Sequence, residues 1–113
     1  MKRDTLFDTH RQPVPPFAFN HEVAAVFDDM VRRSIPLYDE IIRHQAHLVQ
    51  EFYQEHSRIY DLGCSTGNLG AAVCRVMGDT DFQLIAVDNS AAMLALCEAQ
   101  RQSLSGGQRI ELR

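Results

Sequence analysis

The first half of the chain repeats apolar residues at the spacing of a single helical face. Between residues 21 and 33 the i, i+3, i+4, i+7, i+8 positions are Val23, Val26, Phe27, Met30 and Val31. This pattern predicts an amphipathic helix, and Asn20 is a suitable N-cap for it. A second face, from about 36 to 53, consists of Tyr38, Ile41, Ile42, Gln45, Leu48, Val49 and Phe52. Pro36 suits the first position of this second helix.

After residue 56 short apolar runs alternate with helical patterns. The runs predict strands at 57–63, 82–88 and 108–113, and helices are predicted between them at 68–77 and 90–102. The order strand, helix, strand, helix, strand is typical of a parallel sheet covered by helices. The sequence therefore predicts an α/β fold in which two leading helices precede a βαβαβ unit.

These patterns divide the chain into three segments around one core. Residues 1–19 contain three prolines and no periodic pattern, so we expect an extended N-terminal arm. Residues 20–56 form the predicted helical segment, and residues 57–113 form the predicted α/β segment. A chain of 113 residues has room for a single hydrophobic core.

Composition and charge narrow the class of ligand. The chain is 45% hydrophobic and 23% charged, with a formal net charge of -4, which indicates a globular protein without the basic surface of a nucleic-acid-binding domain. We find no apolar run of membrane-spanning length and no signal-peptide pattern, so we expect a cytoplasmic protein. Its three cysteines fit neither a disulfide framework nor a metal knuckle. A small molecule is the expected ligand.

The stretch that follows the first predicted strand has the character of a nucleoside-binding loop. Gly63 and Gly67 lie between this strand and the next helix, where missing Cβ atoms let backbone N–H groups approach a ligand. Asp88 ends the second strand, where its carboxylate can accept hydrogen bonds from both ribose hydroxyls. The loop reads G-x-S-x-G, with Asp61 two positions before its first glycine, which disfavours the dinucleotide pattern G-x-G-x-x-G.

Other polar residues have simpler interpretations. His44 and His47 are three positions apart, but no further ligand at suitable spacing completes a set, so we predict no metal site. Cys64 lies in the loop without a nearby histidine and is interpreted as a packing thiol. The pairs Asp28-Asp29 and Arg32-Arg33 predict a solvated helix face with i, i+4 ion pairs.

The loop and the acidic ends of both strands resemble the S-adenosylmethionine site of class I methyltransferases. That resemblance implies that Asp61 lies near the ligand's amino group and that Asp88 binds the ribose. More of the chain is similar to the carboxy-S-adenosyl-L-methionine synthase family, through "RDTLF", "EVAAVFDDMVRRSIPLYDEII", "YDLGCSTG" and "IAVDNSAAML". In that family the equivalent residues that contact the nucleoside are Tyr38, Gly63, Cys64, Ser65, Asp88 and Asn89. The complete candidate set is Tyr38, Asp61, Gly63, Cys64, Ser65, Gly67, Asp88 and Asn89.

The resemblance implies a function as well as a fold. It implies the N-terminal half of a Rossmann-like class I methyltransferase fold, in a homodimer that converts S-adenosylmethionine and prephenate to carboxy-S-adenosylmethionine and phenylpyruvate. The product would serve the 5-oxyacetic acid modification of tRNA wobble uridine, without direct contact to nucleic acid. The family's carboxylate-binding arginine would lie beyond Arg113, so we assign no catalytic residue and expect a fragment that is inactive alone. Two alternatives stay open: an ordinary S-adenosylmethionine-dependent methyltransferase and a non-catalytic helical dimerisation module.

Overall fold

A computed structural model describes the backbone of residues 21–113 and the side chains from residue 26 onward. The predicted arm at 1–19 and the predicted cap Asn20 lie outside the described residues. The elements in chain order are α1 (His21–Ser34), α2 (Tyr38–Phe52), β1 (Arg58–Leu62), α3 (Asn68–Met77), β2 (Gln83–Val87), α4 (Ala91–Ser103) and β3 (Ile110–Leu112), with one 3₁₀ turn at Gly107–Arg109. Each helix and strand predicted in this part of the chain is present, with ends that differ by at most two residues.

The three strands form one parallel sheet in the order β1-β2-β3. Arg58 pairs with Gln83 and Leu62 with Val87 in the first ladder, and Leu84 pairs with Ile110 in the second. The predicted parallel α/β arrangement is thereby confirmed for residues 21–113. Because the strands are parallel, the carboxyl ends of β1 and β2 meet at the same edge of the sheet, which is where α/β proteins bind ligands.

Two groups of apolar side chains hold the helices in place, and the larger one covers the sheet. The larger group joins α2, α3, α4 and the sheet, and its fully buried members include Ala46, Val73 and Leu84. β2 is buried on both faces, as a central parallel strand requires, since Ile85 on the opposite face is also inaccessible. The smaller group joins α1 to α4 through Phe27, Val31, Ala92 and Met93. The predicted apolar face of α1 is thus the face that packs.

The second helix begins later than the proline pattern predicts. Pro36 lies in the turn between the helices, and α2 starts at Tyr38 after Leu37, whose φ is 58°. A residue in the left-handed region cannot continue a right-handed helix, so Pro36 does not occupy the first helical position. The prediction for Pro36 was therefore wrong, and the residue lies in the turn before α2.

Only part of the predicted apolar face of α2 packs against the rest of the chain. Ile42 and Val49 contact the larger core group, whereas Ile41, Leu48 and Phe52 are exposed. β1 pairs only with β2 within residues 21–113, and Leu62 on this edge strand is 77% exposed. The described part of the chain therefore leaves apolar side chains uncovered on α2 and β1.

Leu84 tests the core that supports the sheet. Its side chain is fully buried between strand and helices, so Leu84→Ala leaves a cavity and is expected to lower the free energy of unfolding by about 2–5 kcal/mol. Leu96→Ala is the matched control, because Leu96 on α4 is 40% exposed and should cost about 1 kcal/mol or less. Urea unfolding followed by circular dichroism measures both, and equal losses would contradict this description of the core.

Candidate functional site

The loop between β1 and α3 is fastened to the end of β2 by backbone hydrogen bonds. The N–H groups of Gly63 and Cys64 both donate to the carbonyl of Val87, each at 2.8 Å. Gly67 closes the turn by donating to the carbonyl of Cys64 at 2.9 Å. Gly63 and Gly67 have φ values of 79° and 91°, and Ser65 between them has 53°. Glycine is favoured at positions 63 and 67 because a Cβ atom disfavours this region, which Ser65 also adopts.

Gly67 also lets α4 approach the loop. A Cβ atom built on Gly67 would lie 2.7 Å from the Sγ of Cys97, which is closer than any real contact of this kind. The sequence prediction assigned Gly67 to the close approach of a ligand. In the structure the group that approaches Gly67 is a cysteine of α4, and Gly67 itself is buried. Its absence of a side chain therefore serves the packing of α4 against the loop.

Asp88 holds the loop from the end of β2. Its Oδ2 accepts a hydrogen bond from the N–H of Ser65 at 2.9 Å, and its Oδ1 accepts one from the N–H of Ser90 at 2.9 Å. Ser90 caps α4, since its hydroxyl oxygen accepts from the N–H of Met93 at 3.2 Å. Each carboxylate oxygen of Asp88 has a further acceptor position. The residue can therefore hold the loop and still accept hydrogen bonds from a ligand.

A cleft of about 250 Å³ lies between α2 and the loop. Five of the eight candidate residues line it, namely Tyr38, Asp61, Gly63, Cys64 and Ser65. The other three candidate residues do not line the cleft. Asp88 is hydrogen-bonded to Ser65, which does line it, and Asn89 is an exposed neighbour of Asp88. Gly67 is buried at the end of the loop, where α3 begins. The structure thus brings helix α2 and the glycine loop together as two walls of one cleft.

A polar network that the sequence analysis missed connects α1 to this cleft. The Oδ1 of Asp28 accepts hydrogen bonds from the hydroxyl of Thr66 and from the Nδ2 of Asn68, both at 3.1 Å. The same Nδ2 donates to the hydroxyl oxygen of Tyr38 at 3.1 Å. No sequence signal marks Asp28, because the contact depends on how α1 lies against the loop.

One of the two ion pairs predicted within α1 is present in the structure. Arg33 pairs with Asp29 at 3.4 Å, as the i, i+4 spacing predicts. Arg32 instead pairs with Asp39 at 3.1 Å and places its guanidinium 5.7 Å from the centre of the Tyr38 ring. The prediction that Arg32 pairs with the carboxylate of Asp28 was wrong, because the fold turns Asp28 toward the loop and brings the start of α2 to Arg32.

Comparison with known proteins identifies relatives over most of the chain. A protein of Desulforapulum autotrophicum named carboxy-S-adenosyl-L-methionine synthase is 50% identical over 94 residues, which are 83% of this chain and 38% of the relative. Proteins of the same name from Methylococcus capsulatus and Pseudomonas fluorescens are 38% and 44% identical, over 99% and 91% of this chain and 46% and 40% of their own lengths. No protein-family model matches the chain.

By sequence, this chain is similar to the N-terminal portions of proteins named carboxy-S-adenosyl-L-methionine synthase. The chain spans less than half the length of these relatives. Their shared name favours a synthase over the two alternatives that the sequence left open, an ordinary methyltransferase and a dimerisation module. The family resemblance inferred from "YDLGCSTG" and its neighbours is confirmed.

Burial and negative charge set the electrostatics of the cleft. Burial raises the pKa of Asp61, and the nearby charge of Asp88 raises it further. The pKa of the Cys64 thiol is also raised, first by its hydrogen bond with Cys97 and then by burial. All three cysteines are free and buried. A raised thiol pKa disfavours the reactive thiolate, which agrees with the interpretation of Cys64 as a packing residue.

Two further observations concern residues 21–113 only. Within this range no three or more His, Cys, Asp or Glu side chains are grouped so as to hold a metal ion. None of the described helices is both long enough and apolar enough to cross a membrane.

Gly67 tests the contact between the loop and α4. Gly67→Ala is expected to destabilise the fold by about 1–3 kcal/mol through overpacking against Cys97, in addition to the cost of its positive φ. Gly63→Ala is the control, because Gly63 also has a positive φ but a Cβ there meets nothing within 4 Å. Adding Cys97→Ala should recover part of the loss in the first variant. Thermal unfolding compares the variants, and the packing argument fails if Cys97→Ala gives no recovery.

Asp61 makes stability depend on pH. Because the folded-state pKa of Asp61 is raised, the folded chain binds the carboxyl proton more tightly than the unfolded chain does. The free energy of unfolding therefore falls as pH rises from the unfolded-state pKa of this carboxyl to its folded-state pKa. Asp61→Asn should therefore raise the melting temperature at pH 7.5, and its advantage should shrink as pH falls toward 4. Asp79→Asn, at an exposed position, is the control. An advantage for Asp61→Asn that does not change with pH would contradict the burial argument.

Proposed function

We propose that this chain supplies the part of a carboxy-S-adenosyl-L-methionine synthase that binds S-adenosylmethionine. The whole enzyme would convert S-adenosylmethionine and prephenate to carboxy-S-adenosylmethionine and phenylpyruvate. The observation that carries the proposal is the similarity to synthases over most of the chain. It is supported by the cleft at the carboxyl end of β1, which five candidate residues line. We extend the proposal to a cytoplasmic homodimer whose product serves wobble-uridine modification in tRNA.

We interpret residues 57–113 as the first half of a Rossmann-like class I methyltransferase domain, with the segment 20–56 packed on it. Parallel strands joined by helices, with a glycine loop after β1 and an acidic residue after β2, support this interpretation. The site lies at the carboxyl ends of the strands, where open α/β sheets bind ligands. α2 forms the second wall of the cleft.

The polar groups of the site fit an adenosyl ligand with an amino-acid end. Asp88 has an acceptor position left on each oxygen, which suits two ribose hydroxyls. Asp61 lines the cleft and, when ionised, would attract an ammonium group. S-adenosylmethionine supplies a methyl group on a cationic sulfur, whose charge acidifies the methyl protons. The carboxylates of Asp61 and Asp88 make this end of the sheet negative, which favours a ligand with positive charge.

Carboxylation would also require a cation that holds the carboxylates of prephenate. An arginine suits this role because its planar guanidinium binds a carboxylate through two hydrogen bonds. We assign no residue of this chain to that role and attribute it to the remaining length of the synthase. The proposed activity is accordingly that of the whole enzyme, of which the chain matches 38–46% in the relatives above.

A chimeric synthase tests the proposal. Residues 1–113 replace the matching N-terminal portion of the Desulforapulum relative, and the purified chimera is incubated with S-adenosylmethionine, with and without prephenate. We expect a carboxylated nucleoside that requires prephenate, detected by mass spectrometry. Asp88→Ala in the chimera should reduce product formation at least ten-fold, because it removes the proposed ribose acceptor together with the support of Ser65.

The parent relative and the isolated chain provide the controls. The parent confirms that the assay detects the product, and circular dichroism confirms that the chimera is folded. A folded chimera that forms no product beside an active parent would contradict the proposal. A chimera that methylates an acceptor and ignores prephenate would point to an ordinary methyltransferase. The isolated 113 residues should bind S-adenosylhomocysteine without forming product.

A further inference from the structure

We infer that Asp28 is a positioning residue of the ligand site, which acts through Asn68 to present the hydroxyl proton of Tyr38 to the ligand. The ligand group that accepts the hydrogen bond from this hydroxyl would be the carboxylate of an amino-acid end. The inference rests on the proposed function, since it assigns a task to one wall of the same cleft. The observation behind it is a chain of hydrogen bonds from α1 to the cleft: Asp28 to Asn68, and Asn68 to Tyr38.

The direction of these hydrogen bonds decides what Tyr38 can do. A carboxylate only accepts hydrogen bonds, so Asp28 requires the Nδ2 side of the Asn68 amide to face it. The second N–H of the same nitrogen then points to the hydroxyl oxygen of Tyr38, at 3.1 Å. Tyr38 therefore acts as an acceptor toward Asn68 and keeps its own proton for another partner. Thr66 donates to the same oxygen of Asp28 and fixes the position of the carboxylate.

Removing the acceptor would reverse this arrangement. Without Asp28 the Asn68 amide is free to turn, so that its carbonyl oxygen faces Tyr38. The Tyr38 hydroxyl would then donate to Asn68, and its proton would no longer be available in the cleft. The ring itself is held independently of this network, because Arg32 lies over it and pairs with Asp39. The expected effect is thus on the direction of one hydroxyl group, with the position of the ring retained.

The position of Tyr38 suggests which part of the ligand is affected. Tyr38 and Asp61 both line the cleft, from α2 and from β1. An ionised Asp61 favours an ammonium group, whereas a hydroxyl donor favours a carboxylate. An amino-acid end carries both groups on one carbon atom. The two residues together therefore suit a zwitterionic ligand end, in which Tyr38 binds the carboxylate that Asp61 would repel.

Calorimetric titration with two nucleosides tests this inference on the 113-residue chain. S-adenosylhomocysteine has the amino-acid end, and methylthioadenosine shares the adenosine and the sulfur but lacks that end. Asp28→Ala is expected to weaken S-adenosylhomocysteine binding roughly five-fold, the usual effect of losing one hydrogen bond. Binding of methylthioadenosine should stay within about two-fold of the original chain. Asp28→Asn should largely restore the affinity, because it keeps an acceptor oxygen.

Three further variants separate positioning from a structural role. Asn68→Ala removes the carbonyl oxygen that could capture the Tyr38 hydroxyl proton, so it should weaken S-adenosylhomocysteine binding less than Asp28→Ala does. Combining Asp28→Ala with Tyr38→Phe should bind no more weakly than Tyr38→Phe alone, because both act on the same hydroxyl. Asp29→Ala is the matched control on α1, since Asp29 pairs with Arg33 and does not line the cleft, and it should bind both nucleosides normally. Equal losses for both nucleosides, additive losses with Tyr38→Phe, or no loss in Asp28→Ala would overturn the inference.

A measurement without ligand distinguishes this inference from the proposed function. The side-chain amide of Asn68 is observed by NMR in the ¹⁵N-labelled chain, and both Asp28→Ala and Tyr38→Phe should shift its resonances, whereas Asp29→Ala should not. A chain that binds neither nucleoside would count against the proposed function, and the amide resonances would then decide the inference. If neither substitution shifts them, the network does not orient Tyr38 and the inference is overturned.

Discussion

The attachment of the glycine loop to the end of β2 is the constraint on which the rest of the site depends. Three consecutive N–H groups, from Gly63 to Ser65, donate to the carbonyl of Val87 and the carboxylate of Asp88. These bonds exist because parallel pairing brings the ends of β1 and β2 side by side. The loop conformation is therefore a property of two strands.

Three helices contact this loop and complete the site. α4 approaches it closely because Gly67 has no side chain, so that Cys97 packs where a Cβ atom would otherwise lie. α1 and α2 are joined to it by Asp28 and Tyr38 through Asn68. The fold thus uses apolar packing between α4 and the loop and hydrogen bonds between the loop and the two leading helices. A cleft with a polar wall results, next to a core that is closed to water.

The helical segment has two roles in this arrangement. Its α1 packs on α4 through Phe27 and Val31, and its α2 packs on α3 through residues such as Ala46. The same two helices supply side chains to the site, so that burial of their apolar faces positions their polar groups. Exposed apolar residues on α2 and on the edge strand β1 show that this packing uses only part of the available apolar surface in residues 21–113.

The sequence by itself determined the secondary structure after residue 20, the parallel α/β class and the family resemblance, because helical and strand periods, glycine positions and acidic strand ends are local signals. It did not determine the start of α2, where a left-handed Leu37 displaces Pro36, nor the partner of Arg32. The contact of Gly67 with α4 and the role of Asp28 were equally beyond it. The first two depend on the backbone turn at Leu37. The other two join residues far apart in the chain, which only the packing of the helices and the sheet brings together.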